Sequence, residues 1–238
     1  MEKMKQYLGV LTKAILAGIL IGVAGTIYVT LASDYYIIGV ILFGFGLLVI
    51  LAQGYNLFTG KVGYLVDNPP RYLIDLLIMI IGNFLGGLIV AAVVHLSGMD
   101  AQISFTSSLV NSKMTHSWYQ IFGLAILCGF LMYLAAEGYR RVENNFARVI
   151  IVIFAVSIFL LAGFEHSIAD MYYFTVTNTW TTRSIFYLGL MLLGNGLGAN
   201  LLNILEKMSK LKENVCPISY HDEVKKLPRE SNFRQNHK

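Results

Sequence analysis

Six stretches of this chain carry almost no charged side chain, and each is about long enough to cross ~30 Å of hydrocarbon as a helix, the fifth only marginally. They run from Lys13 to Leu31, Tyr36 to Leu57, Leu73 to Leu96, Tyr119 to Ala136, Val149 to Phe164 and Ile185 to Leu205. Whatever the chain folds into must satisfy its backbone groups within those stretches, because lipid offers them no partner. The composition agrees: 56% of the 238 residues are hydrophobic and 13% charged, against about 25% charged in soluble domains. These numbers predict an integral membrane protein in contact with a lipid bilayer and exclude a nucleic-acid binder. The apolar run after the basic N-terminus is too long, and followed by too many others, for a cleaved signal peptide, and reads as the first span. Cys128 in an apolar run and Cys216 in a polar segment are poor disulfide partners.

With six spans both termini lie on one side. That side holds Lys3, Lys5, Lys13, Lys61, Arg71, Arg140, Arg141, Arg148 and the basic residues from Lys207 onward, while the other holds Lys113 and Arg183. Cytoplasmic loops are the ones rich in Lys and Arg, so both termini are expected in the cytoplasm, as for a plasma (inner) membrane protein. The net charge of +4 follows from those loops and requires no acidic partner. Residues 1–206 form the expected six-helix membrane domain. Residues 207–238 form an expected mobile cytoplasmic tail, too polar from Lys210 on to fold alone.

The chain also resembles itself. Leu51-Ala52-Gln53-Gly54-Tyr55-Asn56 ends the second span and Leu161-Ala162-Gly163-Phe164-Glu165 the fifth; Gly82-Asn83 with Gly86, and Gly194-Asn195 with Gly198, follow in the same order. Spans one to three and four to six thus look like two copies of one unit, and copies of three spans must insert with opposite orientation. An all-α transmembrane inverted repeat (3+3), with helices two and five broken, is a transporter and channel architecture. Helix packing is the plainer explanation for Gly18, Gly22 and Gly25. At Gly54 and Gly163 a polar residue follows at once, Asn56 in one case and Glu165 with His166 in the other, and polar groups at membrane depth mark functional sites.

The segment from Gly163 to Tyr172 sets Glu165, His166, Ser167 and Asp170 at the end of an apolar run. Histidine titrates near neutrality, so His166 could exchange a proton with a passing weak acid, or it could only tie two helices together. In Gly54 to Gly60, the Thr59 hydroxyl beside bulky apolar groups suits a narrow pore, although an ordinary helix end capped by Gly60 reads equally well. No phosphate loop, metal-ligand spacing or nucleophile set is present, so no enzyme activity, cofactor or metal is expected.

At these residues the chain resembles the formate/nitrite transporter family, over roughly positions 10 to 206. Gly163 to Met171 carries most of the likeness, supported by Leu57-Phe58-Thr59-Gly60, Gly82-Asn83-Phe84-Leu85-Gly86 and Lys113. The resemblance implies an aquaporin-like fold, a homopentamer, and a separate pathway in each protomer for a small anion and protons. It implies His166 as central pore histidine, Thr59 opposite it and Lys113 as a basic residue of the outer vestibule. Leu57 and Phe58 would form an inner constriction, and Phe43, Leu47 and Phe159 an outer one. Three positions depart from the family pattern: an acid is usual where Asn56 stands, and an asparagine where Gly129 and Asp170 stand. Formate is the first expectation, with nitrite, lactate or acetate, and hydrosulfide behind it. A pore for neutral solutes is a competing reading that lacks the paired Asn-Pro-Ala turns of an aquaporin, and a scaffold or receptor that transports nothing is another.

Overall fold

The structure is a computed structural model and describes residues 2–213, with side chains through 209. Among the described residues the elements are helical: α1 (Glu2–Leu31), α2 (Tyr36–Gln53), α3 (Phe58–Lys61), a 3-10 segment (Val62–Asp67), α4 (Tyr72–Leu96), α5 (Asp100–Lys113), α6 (Trp118–Arg141), α7 (Asn145–Leu161), α8 (Ser167–Val176) and α9 (Thr182–Glu213). By length and composition α1, α2, α4, α6 and α9 are able to cross a membrane, while α7, at 17 residues, is apolar but shorter. Large apolar side chains such as Phe45, Ile81, Leu88, Phe154 and Leu197 face outward. In water that surface would be a liability; against acyl chains it costs nothing, and helices associate by close packing instead.

Residues Met1–Asn203 form one compact unit, and Ile204–Lys238 are assigned to a second. Within the first, α1 packs along α4 and against α2, α6 against α7, α2 against α7, and α4 against α8. Two of the closest approaches depend on glycine. A Cβ at Gly86 would overlap the Ile15 carbonyl oxygen on α1, and a Cβ at Gly198 would overlap the Ile126 oxygen on α6. The Gly-Asn-x-x-Gly runs are therefore contact surfaces between α4 and α1 and between α9 and α6. Gly129, one of the departures from the family pattern, sits where a Cβ would meet the Asn195 oxygen, as one at Gly18 would meet that of Asn83. An asparagine side chain at Gly129 would force α6 and α9 apart.

Several expected span ends move. The second span stops at Gln53 rather than Leu57, and the fifth at Leu161 rather than Phe164. Both helices close the same way. Gly54 (φ 65) and Gly163 (φ 68) take the left-handed conformation; Tyr55 N–H donates to the Ile50 oxygen and Phe164 N–H to the Phe159 oxygen, each at 2.9 Å. That is a Schellman closure, which satisfies carbonyls a helix end would otherwise leave bare. The first span extends back to Glu2, and the last helix runs on to Glu213, so residues 207–213 of the expected mobile tail are helical. The rest of that tail lies outside the described residues. The sequence reading placed no helix at Asp100–Lys113, a stretch too polar to register as a span.

Candidate substrate pathway

The two Schellman closures release the chain into short extended segments that each re-enter a helix, α3 and α8. One asparagine fixes each re-entry. Asn83 Oδ1 accepts from the Phe58 N–H (2.9 Å), while its amide donates to the Ala14 (2.8 Å) and Asn56 (3.0 Å) oxygens. Asn195 Oδ1 accepts from the Ser167 N–H (2.9 Å) and its amide donates to the Ala125 and Glu165 oxygens (2.9 Å each). Both asparagines are buried. Each satisfies an orphan donor at a helix start and two carbonyls that have no water to turn to. Sequence reasoning noticed these asparagines as a repeat and missed what they do; the signal was a buried amide at the same place in both halves.

The asparagine clamps bring Thr59 and His166 together. Thr59 Oγ1 lies 2.9 Å from His166 Nε2, and both side chains are buried. His166 is also the N-cap of α8, its Nδ1 accepting from the Ala169 N–H at 3.1 Å. An acceptor at Nδ1 places the ring hydrogen on Nε2, where it donates to Thr59 and leaves the threonine hydroxyl hydrogen free to donate elsewhere. The imidazole stacks on Phe159 (5.4 Å between centroids), Phe159 meets Phe43 edge-on at 5.9 Å, and Phe43 meets Tyr28 edge-on at 6.3 Å. Phe43, Leu47, Leu57, Phe58 and Phe159 are all in the core.

A cavity of about 60 Å³ opens beside the histidine, lined by Tyr28, Lys113, Phe159, His166, Asp170 and Tyr173 among others. It has room for a few waters or one small anion. Lys113 lies in the segment that joins α4 to α6. It ends α5, its side chain is 14% exposed, and its ammonium pairs with both Glu165 Oε2 and Asp170 Oδ1, the latter at 2.9 Å. Glu165, Asp170 and Lys113 were each singled out in the sequence; that the lysine pairs with both acids was not. Asn56 is drawn away from this group. Its side-chain amide donates to the Val10 oxygen (3.3 Å) and its N–H to the Lys13 oxygen (3.2 Å), so it ties the first break to α1.

Lys113 shares its end of the fold with Arg183, whose guanidinium donates to the His116 oxygen just beyond α5 (3.2 Å). The C-terminal end of α6 carries a different cluster, which the sequence did not single out. Glu137 is buried and accepts from Tyr64 (2.8 Å), from Arg140 (2.7 and 2.9 Å) and from Arg141. Burial first, and then the hydrogen bond to Glu137, pushes the Tyr64 phenol above its ordinary range.

A helical membrane protein with a buried histidine–threonine contact between two chain breaks belongs to the class of channels and transporters. The formate/nitrite transporter profile matches residues 1–207, and the chain belongs to that family, whose members are channels and transporters and not enzymes. The chain is 31% identical over 196 residues to a formate-nitrite transporter of Plasmodium knowlesi, covering 69% of this chain and 62% of that one. It is 27% identical over 147 residues to the formate channel FocA of Haemophilus influenzae, covering 57% and 52%. The matched regions thus span between about half and two thirds of those relatives. Among solved structures, an "FNT family ion channel" superposes with TM-score 0.77 at 22% identity (87% of this chain, 92% of that one), and a "pentameric formate channel with formate bound" with 0.73 at 21% (87% and 98%). At those identities the superpositions show the fold.

Proposed function

We propose that this protein passes small monovalent weak-acid anions, formate first, through a pathway within each protomer of a homopentamer, with both termini in the cytoplasm. The observation that carries this reading is the 2.9 Å contact between Thr59 and His166, made across two chain breaks in a buried core. We read the helices as an aquaporin-like inverted repeat of two three-span units, with α2–α3 and α7–α8 as broken second and fifth spans. The paired asparagine clamps, Schellman closures and glycine contacts support it. The activities named for the relatives support formate or nitrite as substrate, and the pentameric solved neighbour supports the pentamer.

On this reading an anion enters from the side of Lys113 and loses water in the cavity beside Phe159. Desolvation raises the proton affinity of a carboxylate, so it takes up a proton there. The neutral acid then slips past the apolar side chains of Phe43, Leu47 and Phe159, is handed across by the Thr59 hydroxyl and the His166 ring, and leaves past Leu57 and Phe58. Neutralisation is what lets it cross, because an unpaired charge is costly in such surroundings. Nitrite, lactate or acetate and hydrosulfide share the chemistry of formate: one negative charge and a neutral conjugate acid.

The test is stopped-flow uptake of formate, nitrite, lactate and hydrosulfide into proteoliposomes holding a pH-sensitive dye. The expected result is protein-dependent uptake of at least one anion, accompanied by internal acidification. Absence of uptake for all four would overturn the reading.

A further inference from the structure

Three charges meet at the outer mouth of the proposed pathway. Lys113 on α5 faces Glu165 from the second break and Asp170 from α8, and both carboxylates are about 1% exposed. Two carboxylates and one ammonium sum to a net negative charge with little water around it. Like charges confined to a buried site cannot both stay ionised cheaply. In that state the mouth of an anion pathway repels its substrate.

The two acids are not equivalent. Glu165 accepts a hydrogen bond from the Lys113 ammonium, whereas Asp170 Oδ1 stands 2.9 Å from that nitrogen and makes no hydrogen bond. Asp170 lines the cavity beside His166; Glu165 does not. A proton arriving through the cavity therefore meets Asp170, whose Oδ1 is held by Lys113 as an ion pair. Glu165 also faces Asp170, but the Lys113 ammonium engages it and it does not line the cavity; the remaining groups are poor acceptors. Tyr28 from α1 and Tyr173 from α8 are phenols, Cys128 from α6 is buried, and His166 commits Nδ1 to capping α8.

We infer that Asp170 is the proton site of the outer mouth: when neutral it leaves Lys113 paired with Glu165 alone and removes the excess negative charge, so that anion and proton enter together. The inference rests on the functional reading above and deepens it. The step balances. Asp170 takes a proton from the outer solution, the anion enters beside Lys113, the Asp170 O–H bond breaks as an O–H (or S–H) bond forms on the substrate, and the neutral acid moves on. Asp170 is left ionised and returns to Lys113. The unpartnered, buried Tyr173 hydroxyl, which lines the same cavity, can donate to the anion while it waits.

The experiment measures the apparent KM for radiolabelled formate in proteoliposomes at external pH values from about 5.5 to about 8, a window around neutral histidine and carboxylate chemistry. Wild type, Asp170→Asn and Asp170→Glu are compared, each confirmed by gel filtration to assemble alike. The wild-type KM is expected to rise with pH. Asp170→Asn, permanently neutral, is expected to lose that dependence and to bind formate about tenfold more tightly than wild type at the alkaline end, the scale of one nearby charge at a partly screened site. Asp170→Glu is expected to keep the wild-type slope. Because asparagine cannot hand over that proton, the maximal rate of Asp170→Asn is expected to fall; Asp170→Asn with an unchanged slope or an undiminished maximal rate, or Asp170→Glu that loses the slope, would each overturn the inference and leave the transport reading in place. Wild type that takes up no formate would defeat that reading, and the inference with it.

Discussion

From Gly54 to Lys61 the chain makes the same turns as from Gly163 to Asp170. Each segment opens on a left-handed glycine, runs extended past a carbonyl held by a buried asparagine, and enters a helix whose first N–H donates to that same asparagine. The side chains are unlike at nearly every matched position. Leu57 stands where His166 stands, Phe58 where Ser167 stands, Asn56 where Glu165 stands and Lys61 where Asp170 stands. At the N-cap the contrast is sharpest: His166 caps its helix through Nδ1, and Leu57 provides no side-chain cap. The same two backbone groups of each break are held by an asparagine from a neighbouring helix, which leaves most of the break's own residues free to carry different chemistry. One break presents apolar bulk with the Thr59 hydroxyl, the other presents ionisable groups, and the pathway proposed here needs both.

The comparison breaks first if the two halves are not held alike. Gly86→Val and Gly198→Val each push a branched side chain into a facing backbone oxygen, and each is expected to destabilise the protein by more than about 3 kcal/mol and to prevent assembly, read by gel filtration in detergent. Next come Asn83→Ala and Asn195→Ala. Each strands one N–H and the carbonyl of the break, and the expected loss is about 2 kcal/mol in thermal unfolding, similar for the two; a loss confined to one would show that the breaks are not supported equivalently. Thr59→Val keeps the shape and removes the hydroxyl, so folding should hold while formate flux falls about tenfold, equivalent to about 1.4 kcal/mol. Asn56→Ala is expected to have the smallest effect, below about 1 kcal/mol in stability and without change in the apparent KM, because its amide serves α1 and not the cavity.

Much of this was legible in the sequence, for reasons that also explain what was not. Uncharged runs located the long apolar helices, since lipid leaves the chain no other way to satisfy its backbone. Their ends at Leu57 and Phe164 were misplaced because apolar composition continues past a Schellman turn; Gly54 and Gly163 were the better markers. Helix α5 went unseen because Gln102, Ser104, Ser107, Ser108 and Asn111 hide it from a search for apolar runs. The polar residues of the second break were identifiable because each is costly at that depth. Their arrangement was not, since nothing in residue spacing tells that Lys113 reaches both Glu165 and Asp170, or that Asn56 turns instead toward Val10. The group around buried Glu137, with Tyr64 and the exposed Arg140, escaped for the same reason: it joins elements far apart in the chain, and its charges look like ordinary loop residues.

The central claim is that passage depends on the meeting of the two breaks at His166 and Thr59. It is tested most directly by formate uptake into proteoliposomes with an internal pH dye, for wild type and His166→Phe side by side. Phenylalanine preserves the stack on Phe159 and removes the contact to Thr59. The account predicts wild-type uptake that acidifies the interior and slows as external pH rises, with a loss of at least about tenfold in the variant, the scale of one deleted buried hydrogen bond. Uptake in His166→Phe at the wild-type rate and with the wild-type pH dependence would contradict it.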